Sequence, residues 1–487
     1  MSQNLAQLFQ AYPDLLRFHH HVQVLSAPNR YFLPGKPIFV CRAPGRLDLM
    51  GGNTDYTGGL ALEMTIREAT LVAVQPREDA HVRFFNPAVK TLGWTDLIEF
   101  DLGDLGRDGT MNPLDAMREW IFTDPNRSWC AALVGVLYFL MKRFPAKITS
   151  GFSLYLESDI PISKGAGSSA AQEAAALKAI CGIYGITANG TELADWAHWA
   201  EIMLAQSAGG IKDQAAVTLG TEGTILPLLC QPFQPLEPLR LPGNLRLWGI
   251  ESGSRRSASG IEFETARAAA FMGYRHLCEI EGLKPRIEES GTLPHWVDIK
   301  WNGWLANMEP SLFRSRYESQ LPEHEAGADF TRRFPVHLDP HTQVRANVSH
   351  PVRAAVRYAI EENWRARTFL ELIANRDPLP ENSAKMLGEL MYQSQLGYAE
   401  CGMVAKATDA VISLVREADS QDLLGARSSN GRTGGTVVIL GKNTPAAEKA
   451  FQRIHYQIQQ KINGEPPYVF EGTSAGSETF GVITLTF

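Results

Sequence analysis

Ser163-Lys164-Gly165-Ala166-Gly167-Ser168-Ser169-Ala170-Ala171 is a small, glycine-punctuated loop between an alternating strand and an alanine-rich helix. Before it, Phe152, Leu154 and Leu156 alternate with Ser153, Tyr155 and Glu157, the period-two pattern of a half-buried strand. After it, Ala170, Ala174, Leu177 and Cys181 fall on one face at helical spacing. Glycines let backbone N–H groups crowd an anion, and a helix N-terminus adds unpaired donors and a favourable dipole. The stretch reads as a phosphate cradle. Two other readings fit parts of it. Ser169 with Gln172 three residues on matches a capping box, and Gly165-x-Gly167-x-x-Ala170 matches a dinucleotide fingerprint. That fingerprint wants its first glycine at the strand end, but Pro161-Ile162-Ser163-Lys164 intervenes. Only Glu192 stands near the place of its ribose-binding acid. A Walker A loop is excluded, because no Gly-Lys-Ser/Thr triplet follows; Gly441-Lys442-Asn443 fails the same test.

Around this loop lie 487 residues, 44% hydrophobic and 20% charged. That is ordinary for a globular protein of roughly two to four domains. A net charge of −7 argues against nucleic acid or an acidic membrane as the main partner. An anionic ligand must then be met by local donors. Six cysteines (Cys41, Cys130, Cys181, Cys230, Cys278, Cys401) are scattered without a C-x-x-C pair, as expected for buried thiols in a reducing compartment. The first eighteen residues lack a basic region followed by an apolar run, and no stretch of about 20 apolar residues occurs. A cytoplasmic location is expected. His19-His20-His21 reads as a solvated surface run.

Residues 38–41 are a short apolar strand that ends at the breaker Arg42-Ala43-Pro44-Gly45. A second glycine-dense loop, Gly51-Gly52-Asn53-Thr54-Asp55-Tyr56-Thr57-Gly58-Gly59, follows almost at once. Helical periodicity runs over residues 129–144 and 193–204. Four prolines between Pro232 and Pro242, without periodicity, mark a linker. Beyond it, residues 245–250 and 436–440 read as strands. Thr444-Pro445 then opens a helix with Ala447, Phe451, Ile454, Ile458 and Ile462 on one stripe. Regions 85–128 and 280–345 show little periodicity and read as long insertions. Strand–helix alternation in both halves predicts two α+β domains with a cleft between them.

Three further segments carry chemistry. They are Pro44-Gly45-Arg46-Leu47-Asp48-Leu49-Met50-Gly51-Gly52-Asn53-Thr54-Asp55-Tyr56; Gly210-Ile211-Lys212-Asp213-Gln214, with Glu201 twelve residues before Asp213; and Gly431-Arg432-Thr433-Gly434-Gly435-Thr436-Val437. An arginine, several carboxylates, a phosphate loop and glycine turns fit ATP-dependent phosphoryl transfer, which needs positioning, a metal and positive charge more than covalent help. Together these segments resemble the GHMP sugar kinases, and within them the galactokinases and the kinase domain of plant L-arabinokinases. Segments 229–232, 248–253, 270–273, 388–393 and 470–472 extend the resemblance from about residue 38 to the end.

The resemblance implies an α+β, two-domain GHMP kinase fold with the active site in the cleft. It pairs an N-terminal ribosomal-protein-S5-like domain (35–230) with a C-terminal ferredoxin-like α/β domain (244–487). Residues 1–34 are then an N-terminal extension and 231–243 the linker. It implies ATP and Mg²⁺ as co-substrate and metal, and a monosaccharide acceptor phosphorylated at its anomeric hydroxyl. Nucleic acid and membrane are not expected partners, and oligomeric state is left open. Asp213 matches the catalytic carboxylate that receives the hydroxyl proton, and Arg46 the arginine beside it. Lys164, Gly165, Ala166, Gly167, Ser168, Ser169 and Ala170 match the phosphate-binding loop. Ser169 and Glu201 match the Mg²⁺ ligands. Arg46, Gly52, Asn53, Asp55, Gly210, Asp213 and Phe263 match sugar-binding positions.

Galactokinases carry Glu-His where this chain has Gly52 and Asn53, a pair that serves the C6 side of galactose. Plant arabinokinases share the Gly-Gly. The C6 hydroxyl would lose its partner, and a site built for a hydroxyl can discriminate by roughly 10⁴–10⁵. The acceptor expected first is L-arabinose, then galactose or a uronic acid. Phe263 stands where a tyrosine is usual. Asn430 and Arg432 replace glycines; Arg432 is poorly suited to φ > 0 and would instead face a ligand anion. A non-catalytic sugar sensor on this fold is the rival reading, countered by Ser169-Ala170 and Asp213, and a dehydrogenase stands behind it. The large N-terminal extension of plant arabinokinases, with any second activity it carries, is not expected here.

Overall fold

The computed structural model describes residues 3–107, 110–253, 260–289, 291–418, 420–429, 435–462 and 466–487. Asn430 and Arg432, with most of the third glycine-rich motif, lie outside the described residues.

The larger sheet is built on the long strand Leu60–Pro76. Phe152–Ser158 pairs with its later residues and leads on to His81–Phe85 and Leu97–Asp101, while Thr224–Leu229 pairs with its first residues. Ile38–Met50 pairs antiparallel along its length. The expected stop at Pro44-Gly45 does not occur. The strand absorbs both residues as a register shift between Pro44 and Arg46 and continues to Met50, because a bulge accommodates a proline that cannot donate to the ladder. The Pro-rich segment read as a linker contributes the short strands Gln234–Pro235 and Leu239–Arg240, both paired with Thr224–Leu229. Ile483–Leu485 returns to pair with Ile38–Val40.

Phe152–Ser158 is buried on both faces over its first five residues, not on one. The helix Ser168–Tyr184 covers one side of the sheet. On the other side Leu15, Phe18 and Val22 of the helix Pro13–Leu25 pack with Val40, Leu71 and Ala73, and Phe18 stacks on Tyr155 at 5.5 Å. His19 belongs to this core as well, edge-on to Phe9 and Phe487; only His20 and His21 of the run are exposed.

A second, antiparallel sheet has the order Leu423–Ser428, Thr436–Lys442, Leu245–Glu251, Val469–Phe470. Phe451, Ile454 and Ile458 of the helix Pro445–Lys461 pack on it with Val411, Ile412 and Val415, and Phe451 stacks on Trp248 at 5.0 Å. The helices Ile261–Ile280, Val352–Ile373 and Glu381–Glu400 form a third layer, joined to region 283–350 by Trp301, Phe313 and Tyr317. All six cysteines are free and buried. No helix among the described residues is long and apolar enough to cross a membrane.

Candidate active site

The phosphate loop leaves its strand and enters the helix at Gly167, whose φ of 81° lies in the left-handed region. No side chain among the described residues caps this helix, which leaves its leading N–H groups available, as an anion cradle requires. The capping-box reading fails: Ser169 Oγ turns instead to Glu173 Oε1, donating at 3.2 Å. Lys164 pairs with Glu251 on the second sheet, and Thr436 Oγ1 donates to the Lys164 carbonyl (2.8 Å). The loop is thereby held by both sheets.

Arg46 joins this loop to Asp213. Its main-chain N–H donates to the Ala166 carbonyl (2.9 Å), and NH1 donates to the Gly165 carbonyl (2.6 Å). Its Nε and NH2 donate to Asp213 Oδ1 (2.9 Å) and Oδ2 (2.6 Å), a bidentate pair. Gly45, just before it, lets the loop come this near, since a Cβ there would lie 2.5 Å from the Ala166 carbonyl oxygen. Burial alone would push Asp213 up. The charges of Arg46 and Lys212 and their hydrogen bonds outweigh it and hold the carboxyl well below the usual range.

On the other side of Asp213, Asp55 is buried, accepting from its neighbour Tyr56 N (3.0 Å) and from Lys212 N (3.3 Å). Burial pushes it up to about 6, against the pull of Lys212. Gly210 is required here: a Cβ would run into the Asp55 carboxylate. Asn53 Nδ2 donates to Met403 Sδ at 3.5 Å, and Phe263 is buried edge-on to Tyr56 at 5.8 Å. Gly52 does not leave an empty place. A Cβ on it would meet the hydroxyls of Tyr358 and Tyr398, both buried without a hydrogen-bond partner among the described residues. Beyond the Asp55–Gly210 wall opens a cavity of about 580 Å³ lined by Trp296, Trp304 and Phe271 among others.

Ser169 and Glu201 are linked through two residues between them. Gln214 Nε2 donates to Glu173 Oε2 (2.9 Å) and to Glu201, while Glu173 takes the Ser169 hydroxyl. Burial and the facing Glu201 charge push Glu173 well above the carboxylate range. Two carboxylates sharing one amide, with a hydroxyl beside them, form an oxygen set that suits a hard divalent cation.

Sequence reasoning gave no role to Lys212, Glu63, Asp48 and Glu173. Their signal was present: Asp48 and Glu63 are lone charges inside the apolar runs 47–50 and 60–64, and Lys212 directly precedes Asp213.

Residues 131–221 match the family described as GHMP kinases N terminal domain, and residues 30–76 match the galactokinase galactose-binding signature. The fold is similar to that of Lactococcus lactis galactokinase solved with galactose. The TM-score is 0.67 at 17% identity, over 96% of this chain and 100% of that one. It is also similar to that of a mevalonate kinase, with a TM-score of 0.50 at 13% identity over 90% and 99%. Two segments of the chain thus carry a GHMP kinase N-terminal domain and a galactokinase signature. Among curated relatives, an L-arabinokinase from Arabidopsis thaliana is 29% identical over 92% of this chain and 47% of its own length. A galactokinase from Chloroflexus aggregans is 33% identical over 50% of this chain and 56% of its own. The chain thus spans about half the length of the curated relatives it matches.

Proposed function

We propose that this protein transfers the γ-phosphoryl group of ATP to the anomeric hydroxyl of a monosaccharide, L-arabinose first. One observation carries the reading: a single guanidinium, that of Arg46, holds Asp213 with one edge and the phosphate loop with the other. Asp213 receives the hydroxyl proton. A carboxylate held so far down is a weak base, but the loose transition state of phosphoryl transfer asks for the proton late, and orientation matters more than basicity. Arg46 balances charge on the moving phosphoryl group. Residues 164–170 cradle the phosphates. Ser169 and Glu201 would hold Mg²⁺, whose part is to neutralise phosphate oxygens.

Asp55, Asn53, Gly52, Gly210 and Phe263 form the sugar side. The Tyr358 and Tyr398 hydroxyls occupy the room beside Gly52, which favours an acceptor without a C6 group. The adjoining cavity disfavours a uronic acid. It presents Asp55, Glu192, Asp195 and Glu288, while its arginine, Arg267, is spent on a bidentate pair with Asp339. Its His198 and His341 are pushed by burial down to about 3 and about 4, and so are uncharged near neutral pH. A second carboxylate brought there meets repulsion.

The test is ADP release with Mg-ATP against L-arabinose, galactose, galacturonate, glucuronate and fucose. L-Arabinose turns over best, and Asp213→Ala loses about 10²–10⁴ of the rate. Saturable sugar binding without turnover would make the protein a sensor instead.

A further inference from the structure

Lys212 opens the helix Lys212–Leu219 with 4% of its side chain exposed. Nothing local favours a cation there, since the helix dipole opposes positive charge at an N-terminus and burial strips the ammonium of water. Three carboxylates compensate it. Its Nζ lies 3.0 Å from Asp213 Oδ1, 3.1 Å from Glu63 Oε1 and 3.2 Å from Asp48 Oδ2. Arg427 NH1 donates to the other oxygen of Asp48 at 2.7 Å, and Arg46 grips Asp213. Three cations and three carboxylates therefore interlock. Asp213 is the member that reaches solvent, 24% exposed, and the other five are at most 4% exposed.

We propose that Lys212 is a positioning residue for the transfer: its ammonium fixes the Asp213 carboxylate and, with Arg46, keeps it ionised in front of the acceptor hydroxyl. The inference rests on the kinase reading above. Its geometry assigns the oxygens. Oδ1 takes both Arg46 Nε and Lys212 Nζ, while Oδ2 takes Arg46 NH2. Oδ2 is thus the oxygen with the freer lone pair, and it meets the sugar. The other groups facing Asp213 oppose its ionisation or carry no charge. Glu63 and Asp55 face it from the strand Leu60–Pro76 and the turn Gly52–Thr57, and Glu173 from the phosphate-loop helix. His198 faces it from the helix Gly190–Met203 and is neutral. Arg46 and Lys212 are thus the two cations that hold it down. Without Lys212, one remains.

A purely structural Lys212 would serve only to neutralise Glu63 and Asp48. The double variant Lys212→Met/Glu63→Gln separates the two roles, because it removes the ammonium together with the buried carboxyl group it pairs with. The measurement is the pH dependence of kcat at saturating sugar, where Asp55 no longer sets the limb, with thermal unfolding of each variant in parallel. In the double variant, folded like the parent, the acid limb moves up by roughly 1–3 pH units, while KM for ATP stays where it was. Lys212→Arg, which keeps the charge, leaves the limb at the parent's position. Lys212→Met alone shows the same shift wherever it folds. Superimposed acid limbs in the parent and either Met variant overturn the role of Lys212 and leave the kinase reading intact. No turnover of any sugar by the parent overturns the kinase reading and the role with it.

Discussion

At the scale of single residues, Asp55 and Gly210 make the most exposed claim. Asp55 is pushed up to about 6 by burial. Its folded-state pKa lies above that of a free side chain, so the fold favours the neutral form. The stability this contributes is present below the ordinary carboxylate range and lost as pH rises through about 6. Sugar binding runs the opposite way, because the ionised carboxylate is the better acceptor for hydroxyls. KM for the sugar therefore falls as pH rises through about 6, and Asp55→Asn removes that dependence; steady-state kinetics across this range check it. Gly210→Ala pushes a methyl group into the same carboxylate. Displacing that carboxylate is expected to cost on the order of a hundredfold in kcat/KM for the sugar, with KM for ATP unchanged.

At the scale of elements, the phosphate-loop helix depends on how it begins. Gly167 combines a left-handed φ with a would-be Cβ 3.1 Å from Arg46 Cγ. Gly167→Ala adds roughly 1–2 kcal/mol of backbone strain and presses on the arginine, so KM for ATP rises by about tenfold. ATP titrations of the variant measure it. This element was legible in the sequence because its information is local: glycine spacing, a strand before it and an apolar helical face after it. So was the helix capped by Thr444, whose Oγ1 accepts from Ala447 N at 3.1 Å; the pairing of Arg46 with the distant Asp213 was expected only from the resemblance. What the sequence hid depends on partners far along the chain. Pro44-Gly45 looked like an end, yet the long strand opposite carries it through as a bulge. Tyr155 and Ser153 looked solvent-facing, yet both are buried, Tyr155 beneath Phe18 of the N-terminal helices. Gly52 looked like a vacancy until Tyr358 and Tyr398, some three hundred positions away, filled it. Periodicity reports which face is apolar, not which distant segment arrives to bury the other one.

At the scale of the whole molecule, the two ends of the chain close the larger sheet. Phe18 packs under it from the N-terminal helices, and Ile483–Leu485 adds its edge. Phe18→Ala, a large-to-small change at a fully buried site, costs about 3–5 kcal/mol. It lowers the unfolding temperature with little change in KM for either substrate, as calorimetry and kinetics on one preparation would show. The two sheets meet at the phosphate loop, where Glu251 and Thr436 from one hold Lys164 from the other. The account of function rests on that junction, with Arg46 reaching from the loop to Asp213. The most direct test is ³¹P–¹H correlation NMR of the product formed from ATP and L-arabinose. A phosphate coupled to the anomeric proton is the expected result, absent with Asp213→Ala. A phosphate on any other carbon, or ATP hydrolysis with no phosphosugar, would contradict it.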